Sequence, residues 1–348
     1  VVNGTLDNTK IVNITVEEKA TGEIMAGAGL GTEGGSVVFG VSENNFLGRG
    51  IEFSSDLSVS TETLKGLISI KNPNYQGSNR SLNTSLESTV TDRLTNYGYK
   101  SNKTGFTVGS GFEFYDDLYF LAGISSYVEK LETDSTASAS LKKQEGSYFD
   151  TYFNYSFNYD KRDQKYKSTD GYISSFNQKI PLISENYTLT NKYNYKLYNK
   201  WLNENIASFA FFAQATNSLV GKDVKLSDRL FIPPSKLRGF ETGKVGPMDG
   251  LDYIGGNYAT AINISTTLPQ ILPNFQNTNF SIFYDAANVW SVDYDSTISQ
   301  GSKIRSSVGL AVDFFTAVGP LNFSFSEVIT KGKNDVAESF RFNLGTTF

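Results

Sequence analysis

The 348-residue chain combines 26 Phe, 20 Tyr and 2 Trp with a mean hydropathy of -0.29 and a net charge of -5, and it contains neither cysteine nor histidine. This composition excludes disulfides, thiol nucleophiles, thiolate metal sites and hydrolytic arrangements that use histidine as general base. The acidic balance gives no field for nucleic acid, and no apolar run approaches the length of a membrane-spanning helix.

Residues 1–20 read differently from the rest. Ile11, Val12, Ile14 and Val16 make an extended stretch that runs into Glu17 and Glu18, the expected end of a truncated soluble domain and its linker. No charged n-region followed by an apolar h-region opens the chain, which fits a mature or trimmed polypeptide. Residues 21–348 alternate with a period of two, in segments separated by Gly, Asn, Asp and Ser clusters. Strands are predicted near 22–31, 35–43, 50–60, 63–72, 81–93, 99–115, 118–128, 147–160, 170–181, 186–200, 206–220, 255–269, 277–290, 302–315, 319–330 and 337–348.

The two faces of these segments differ in kind. Phe149, Phe153, Tyr155, Phe157 and Tyr159 alternate with Asp150, Asn154, Ser156 and Asn158. Tyr258, Ile262, Ile264 and Leu268 alternate with Asn257, Asn263, Ser265 and Thr267, and Val308, Leu310, Val312 and Phe314 with Ser307, Gly309, Ala311 and Asp313. At the C-terminus, Phe340, Phe342, Leu344 and Phe348 oppose Arg341, Asn343 and Thr347. Apolar residues facing outward and small or polar residues facing inward predict an all-β fold, a 16-stranded antiparallel transmembrane β-barrel around a wet lumen. A soluble sandwich also alternates, but sixteen strands are too many for one. Pairing of the first and last strands would close the barrel. An even strand number puts both ends of the chain on the periplasmic side, with turns such as the one from Glu43 to Gly50.

The longest connection, near 221–255, falls between the eleventh and twelfth strands and carries Pro233, Pro234, Arg238, Gly239, Phe240 and Pro247. A loop of this length is a functional candidate. Its Leu237-Arg238-Gly239-Phe240 and Gly246-Pro247 resemble the sixth extracellular loop of BamA-type barrels, outer-membrane insertases that carry N-terminal POTRA domains. The resemblance continues in family order through Asn45-Phe46-Leu47-Gly48-Arg49-Gly50, Asp160-Lys161-Arg162-Asp163, Asp170-Gly171, Gly255-Gly256-Asn257-Tyr258, Phe283 to Trp290, Ser307 to Leu310, Gly319-Pro320-Leu321 and Phe348. It implies that residues 1–20 end the last POTRA domain. Ala287, where the family usually has glycine, and Lys236, where a small or apolar residue is expected, depart from the pattern.

Alternation sends Phe280, Ile282 and Tyr284 to lipid and Asp285 into the lumen. An Arg238–Asp285 pair would anchor the loop from inside, worth about 1.5–3 kcal/mol where shielded. Spacing alone equally allows a solvated Arg238 and an ordinary lumenal acid; the resemblance implies the pair. The lateral seam is the second candidate site, with Gly27, Gly29 and Gly31 on the first strand and Phe342, Gly345 and Phe348 on the last. Glycine-rich strands pack few cross-strand side chains, so this ladder should be the weakest. Alternatively, the glycines simply make room for bulky lumenal neighbours.

Asp160, Arg162, Asp163 and Asp170 read as a turn held by Asp–Arg contacts, because the spacing lacks a cation-binding pattern. Trp201 and Trp290 read as interfacial girdle residues.

The resemblance implies an insertase of the bacterial outer membrane whose seam accepts strands of unfolded β-barrel clients. Its partners would be those clients, the lipid bilayer, and accessory assembly lipoproteins and periplasmic chaperones acting through POTRA domains. No nucleic acid, enzyme activity, cofactor or metal is expected. The alternatives are a polypeptide translocation pore of the two-partner secretion type and a diffusion porin. The porin lacks support because no Arg/Lys ladder faces an acidic loop.

Overall fold

A computed structural model describes residues 2–3, 10–17, 19–201, 205–269, 278–299, 303–316 and 319–345. Sixteen antiparallel strands form one closed barrel. They are β1 (Gly22–Gly31), β2 (Gly34–Phe46), β3 (Ile51–Ser60), β4 (Thr63–Asn72), β5 (Ser81–Arg93), β6 (Tyr99–Tyr115), β7 (Leu118–Thr133) and β8 (Gly146–Asp160), followed by β9 (Gly171–Ile183), β10 (Thr188–Trp201), β11 (Asn205–Ser218), β12 (Tyr258–Thr267), β13 (Thr278–Trp290), β14 (Arg305–Thr316), β15 (Gly319–Thr330) and β16 (Phe340–Leu344). Closure follows from the solvent, because a peptide group facing hydrocarbon has no water to bond and an open edge would leave a row of them unpaired. Val2–Asn3 and Lys10–Ile11 form a separate two-stranded pair outside the barrel.

The alternation settles which side chains meet lipid. Ile24, Leu30, Val37, Phe39, Leu86, Phe106, Val128, Phe149, Ile264, Leu310 and Phe325 are all exposed on the outer face. An aromatic band crosses β8 to β11, where Tyr159, Tyr172, Tyr195 and Phe209 lie 5.7, 5.9 and 6.5 Å apart in succession. Trp201 and Trp290 close strands at opposite ends of the barrel, and the Trp201 indole donates to the Thr266 hydroxyl at 2.9 Å.

Inside, the two halves of the lumen differ. The half at the mouth where the long loop enters holds two apolar clusters built from loop and wall, one around Leu237, Phe240 and Val289, the other around Leu141, Leu226 and Ile254. Beside the loop lies a polar cavity of about 530 Å³ lined by residues such as Thr91, Ser101, Lys103, Ser125, Tyr127 and Asn154. Short side chains such as Thr91, Ser101 and Ser125 keep that space open between the longer Lys103 and Tyr127.

The ladders are uneven. β1 pairs with β2 through ten residue pairs, from Gly22↔Glu43 to Gly31↔Gly34. β16 pairs with β15 through five, and with β1 through only Asn343↔Gly31 and Leu344↔Leu30 among the described residues. The last strand was expected to begin at 337 but begins at Phe340. Residues before it fold onto the long loop, with the Glu241 amide donating to the Val336 carbonyl and the Glu338 amide to Gly239.

The turn after β8 is held by charge-assisted bonds. Arg162 grips Asp160 with two nitrogens at 2.8 Å, while Asp163 accepts from the Thr169 hydroxyl at 2.6 Å and from the Thr169 and Asp170 amides. The Thr169 bonds, side chain first and then backbone, lower the Asp163 pKa to about 2. The stabilisation is therefore complete above the unfolded value of about 3.9 and lost as pH falls through about 2. Amide NMR signals of Thr169 and Asp170 should shift on acidification through that window, and D163N should abolish the transition; an unchanged transition in D163N would refute the assignment.

A β-carbon on Gly31 would lie 2.7 Å from the Phe342 carbonyl. Gly31→Val should therefore pry the seam apart, costing about 1–3 kcal/mol of barrel stability and lowering the temperature at which the folded form is lost in detergent. An unaltered transition would mean the strands do not approach closely there.

Candidate functional site

The long connection runs from the end of β11 to the start of β12. Its neck is closed by reciprocal backbone bonds between Leu230 and Gly256 at 2.8 and 2.9 Å. Gly256 is needed there, since a β-carbon would sit 2.3 Å from the Trp290 carbonyl. Past the neck, Pro233 leads into a 3-10 turn at Pro234–Lys236, which fixes the direction of the segment that follows. Leu237 and Phe240 are buried at 3% and 1% exposure against Phe212, Ala259, Ala261, Ala287 and Val289. The Ala287 methyl is accommodated within this cluster. Residues 248–253 form a small hairpin, Met248–Asp249 with Asp252–Tyr253, so the loop has structure of its own.

Between the two apolar anchors, Arg238 reaches the wall at β13. Its Nε and Nη2 donate to the two oxygens of Asp285 at 2.7 and 2.8 Å, and its own amide donates to the same carboxylate at 3.1 Å. Asp285 is fully buried. Asn263 on β12 adds a further donor at 2.8 Å and also holds the Lys236 carbonyl at 2.9 Å. The guanidinium carbon lies 3.4 Å from the Phe283 ring centre. On β14 the Ser307 hydroxyl donates to the Arg238 carbonyl at 2.5 Å. A planar fork matched to a carboxylate, stacked on an aromatic face, uses properties lysine lacks. Gly239 has φ +87°, and a β-carbon would meet those of Ser307 and Ser326 at 3.0 and 3.2 Å. It is the residue that lets the chain turn hard against the wall.

Two further ionic anchors escaped the sequence reading. Lys225 is buried to 1% exposure and donates to Glu129 on β7 at 2.9 Å and to Asp150 on β8 at 2.6 Å. Burial alone would lower its pKa, but Asp228, Glu129 and Asp150 outweigh burial and raise it, so the ammonium stays charged. Second, Arg305 at the start of β14 holds Asp335 at 2.7 and 3.0 Å, with both side chains buried. Asp335 in turn accepts from the loop amide of Gly246 at 3.2 Å. The inward parity of Asp150 was legible, but its partner is 75 residues away and no local pattern joins them.

At the seam, Gly27, Gly29 and Gly31 share the lumenal face of β1. Gly27 stands opposite Val38 of β2. A β-carbon on Gly29 would meet the Ser36 hydroxyl at 2.9 Å and the Leu344 carbonyl at 3.4 Å. Gly345 has φ +112° and would bring a β-carbon within 2.5 Å of the Ala28 carbonyl. Glycine on both sides therefore permits close backbone approach where the ladder is shortest. Phe342 lies on β16 beside Phe340, and its carbonyl accepts from the Thr32 amide at 3.1 Å. Phe348 lies outside the described residues.

The fold and this site define a transmembrane barrel whose long loop is tethered within the lumen and whose end strands share two ladder pairs among the described residues. The chain belongs to the Omp85 superfamily, whose domain model matches residues 45–348. It is 25% identical over 403 residues to the outer membrane protein assembly factor BamA of Neisseria meningitidis, covering 99% of this chain and 49% of that protein. It is 24% identical over 229 residues to the sorting assembly machinery 50 kDa subunit of Saccharomyces cerevisiae, covering 61% and 46%. The chain thus spans about half the length of the curated relatives it matches. The crystal structure of BamA from Haemophilus ducreyi lacking POTRA domains 1–3 shares the fold, with a TM-score of 0.86, 24% identity and coverage of 95% of this chain and 71% of that one.

Replacing Arg238 by Ala strands the buried Asp285 with only Asn263 and a backbone amide. Loop docking should weaken by about 3–5 kcal/mol, read as faster protease cleavage within residues 230–250, and R238K should recover only part of it. Equal protection in R238A would remove the tether from the account.

Proposed function

We propose that this barrel is an insertase of the bacterial outer membrane, assisting β-barrel clients to fold through the seam between β1 and β16. The observation that carries the reading is the seam itself, which among the described residues shows two residue pairs, against ten between β1 and β2 and five between β15 and β16. When those pairs part, each strand offers a row of unpaired N–H and C=O groups to an incoming strand. The tethered loop keeps the lumenal mouth filled while the seam works. Similarity to assembly factors of bacteria and to the yeast sorting subunit supports the same reading.

In this account the clients are unfolded outer-membrane β-barrel proteins. Residues 1–20 end the last of a set of POTRA domains, on which accessory lipoproteins and periplasmic chaperones act. No bond is made or broken and no cofactor takes part, because the free energy comes from the client's own folding.

Full-length protein reconstituted in liposomes should accelerate folding of a β-barrel client, followed by its heat-dependent mobility in gels, and R238A should slow that acceleration about tenfold, the equivalent of about 1.4 kcal/mol. A wild-type protein that accelerates nothing, or an R238A variant equal to wild type, would overturn the proposal.

A further inference from the structure

The loop is bonded unevenly around the lumen. Towards β12–β16 it is held by Asp285, Ser307, Asp335 and the backbone pairing with residues 336–338, and the Tyr253 hydroxyl also donates to the Asn334 carbonyl at 2.6 Å. Towards β1–β4, the loop's hydrogen bonds and ion pairs among the described residues converge on one side chain, Glu33 in the turn between β1 and β2. Its carboxylate accepts from the Thr242 hydroxyl of the loop and lies 3.4 Å from Arg341 Nη1 on β16.

Arg341 is otherwise committed elsewhere. It donates to the loop carbonyls of Phe240 at 2.6 Å and Pro234 at 3.2 Å, and to Glu338 at 2.8 Å. The last strand and the loop are therefore stapled together by the guanidinium, while Glu33 is the contribution of the first hairpin to the same junction. Across this line, among the described residues, the backbone adds two ladder pairs and the Thr32 to Phe342 bond. A carboxylate 43% exposed makes a contact weak enough to release thermally.

We propose that Glu33 is a positioning residue that clasps the seam, and that when the seam parts the loop stays with β16, the break running between Glu33 on one side and its partners Arg341 and Thr242 on the other. The inference deepens the insertase reading and rests on it for its purpose, though the clasp can be measured without a client. Lateral opening then needs no undocking of the Arg238 anchor.

The test uses nitroxide pairs in full-length protein in lipid nanodiscs, read by pulsed electron paramagnetic resonance. V37C with F325C spans the seam from outer-face positions one strand back on each side, and L251C with F325C joins the loop to the C-terminal side. E33A should raise the share of the longer 37–325 separation about two- to fivefold over wild type, with the 251–325 separation unchanged. A 37–325 distribution in E33A identical to wild type would overturn the clasp. A 251–325 separation that lengthens together with the seam would overturn the assignment of the loop to β16. Client folding measured on the same wild-type sample keeps the readings apart: a protein that accelerates no client defeats the insertase proposal, while the distances still decide the clasp.

Discussion

The fork between Arg238 and Asp285 is the interaction on which the rest of the molecule depends. A sixteen-stranded barrel whose inward faces mix small residues with scattered polar and charged ones is too wide to fill itself with wall side chains, so something must occupy its mouth. The loop does so by placing Leu237 and Phe240 against β12 and β13, and those contacts require the chain to arrive at one depth and one orientation. A carboxylate buried on β13, gripped by a bidentate guanidinium and a third donor from the loop backbone, sets both. The remaining anchors, Lys225 with Glu129 and Asp150 and the Arg305–Asp335–Gly246 relay, hold other points of the same loop to the wall.

With the mouth plugged from inside, the barrel can tolerate a poor closure. In hydrocarbon an unpaired peptide group is costly, and among the described residues the seam shows two ladder pairs. Glycine on the lumenal face of β1 and at Gly345 brings the backbones close without side chains that interlock. The seam is therefore held mostly by the few hydrogen bonds it makes, and its cost of opening is correspondingly small.

Much of this was legible in the sequence, for a physical reason. The bilayer imposes one rule on every strand, so parity alone placed Ile282 and Tyr284 outside and Asp285 inside, and it located the strands near their observed positions. Parity also put Asn263, Ser307, Asp150 and Arg341 on the inner face. What it could not supply was which inward groups meet across the lumen, because Lys225 and Glu129, 96 residues apart, are joined by the shape of the loop and by no local spacing. The start of β16 was misplaced for a related reason: residues 337–339 are extended and alternate, yet the loop takes part of their backbone bonding, through Glu338 to Gly239 and the Phe240↔Ala337 bridge.

Hydrogen–deuterium exchange on the full-length protein in a lipid bilayer bears most directly on the central claim, a firmly tethered loop beside a weakly closed seam. The account requires fast exchange for the Thr32 amide, which crosses the seam to Phe342, and slow exchange for Arg238 and for the β12–β14 amides around Asp285. Equal protection of Thr32 and β13, or an Arg238 amide that exchanges as fast as that of Thr32, would contradict it.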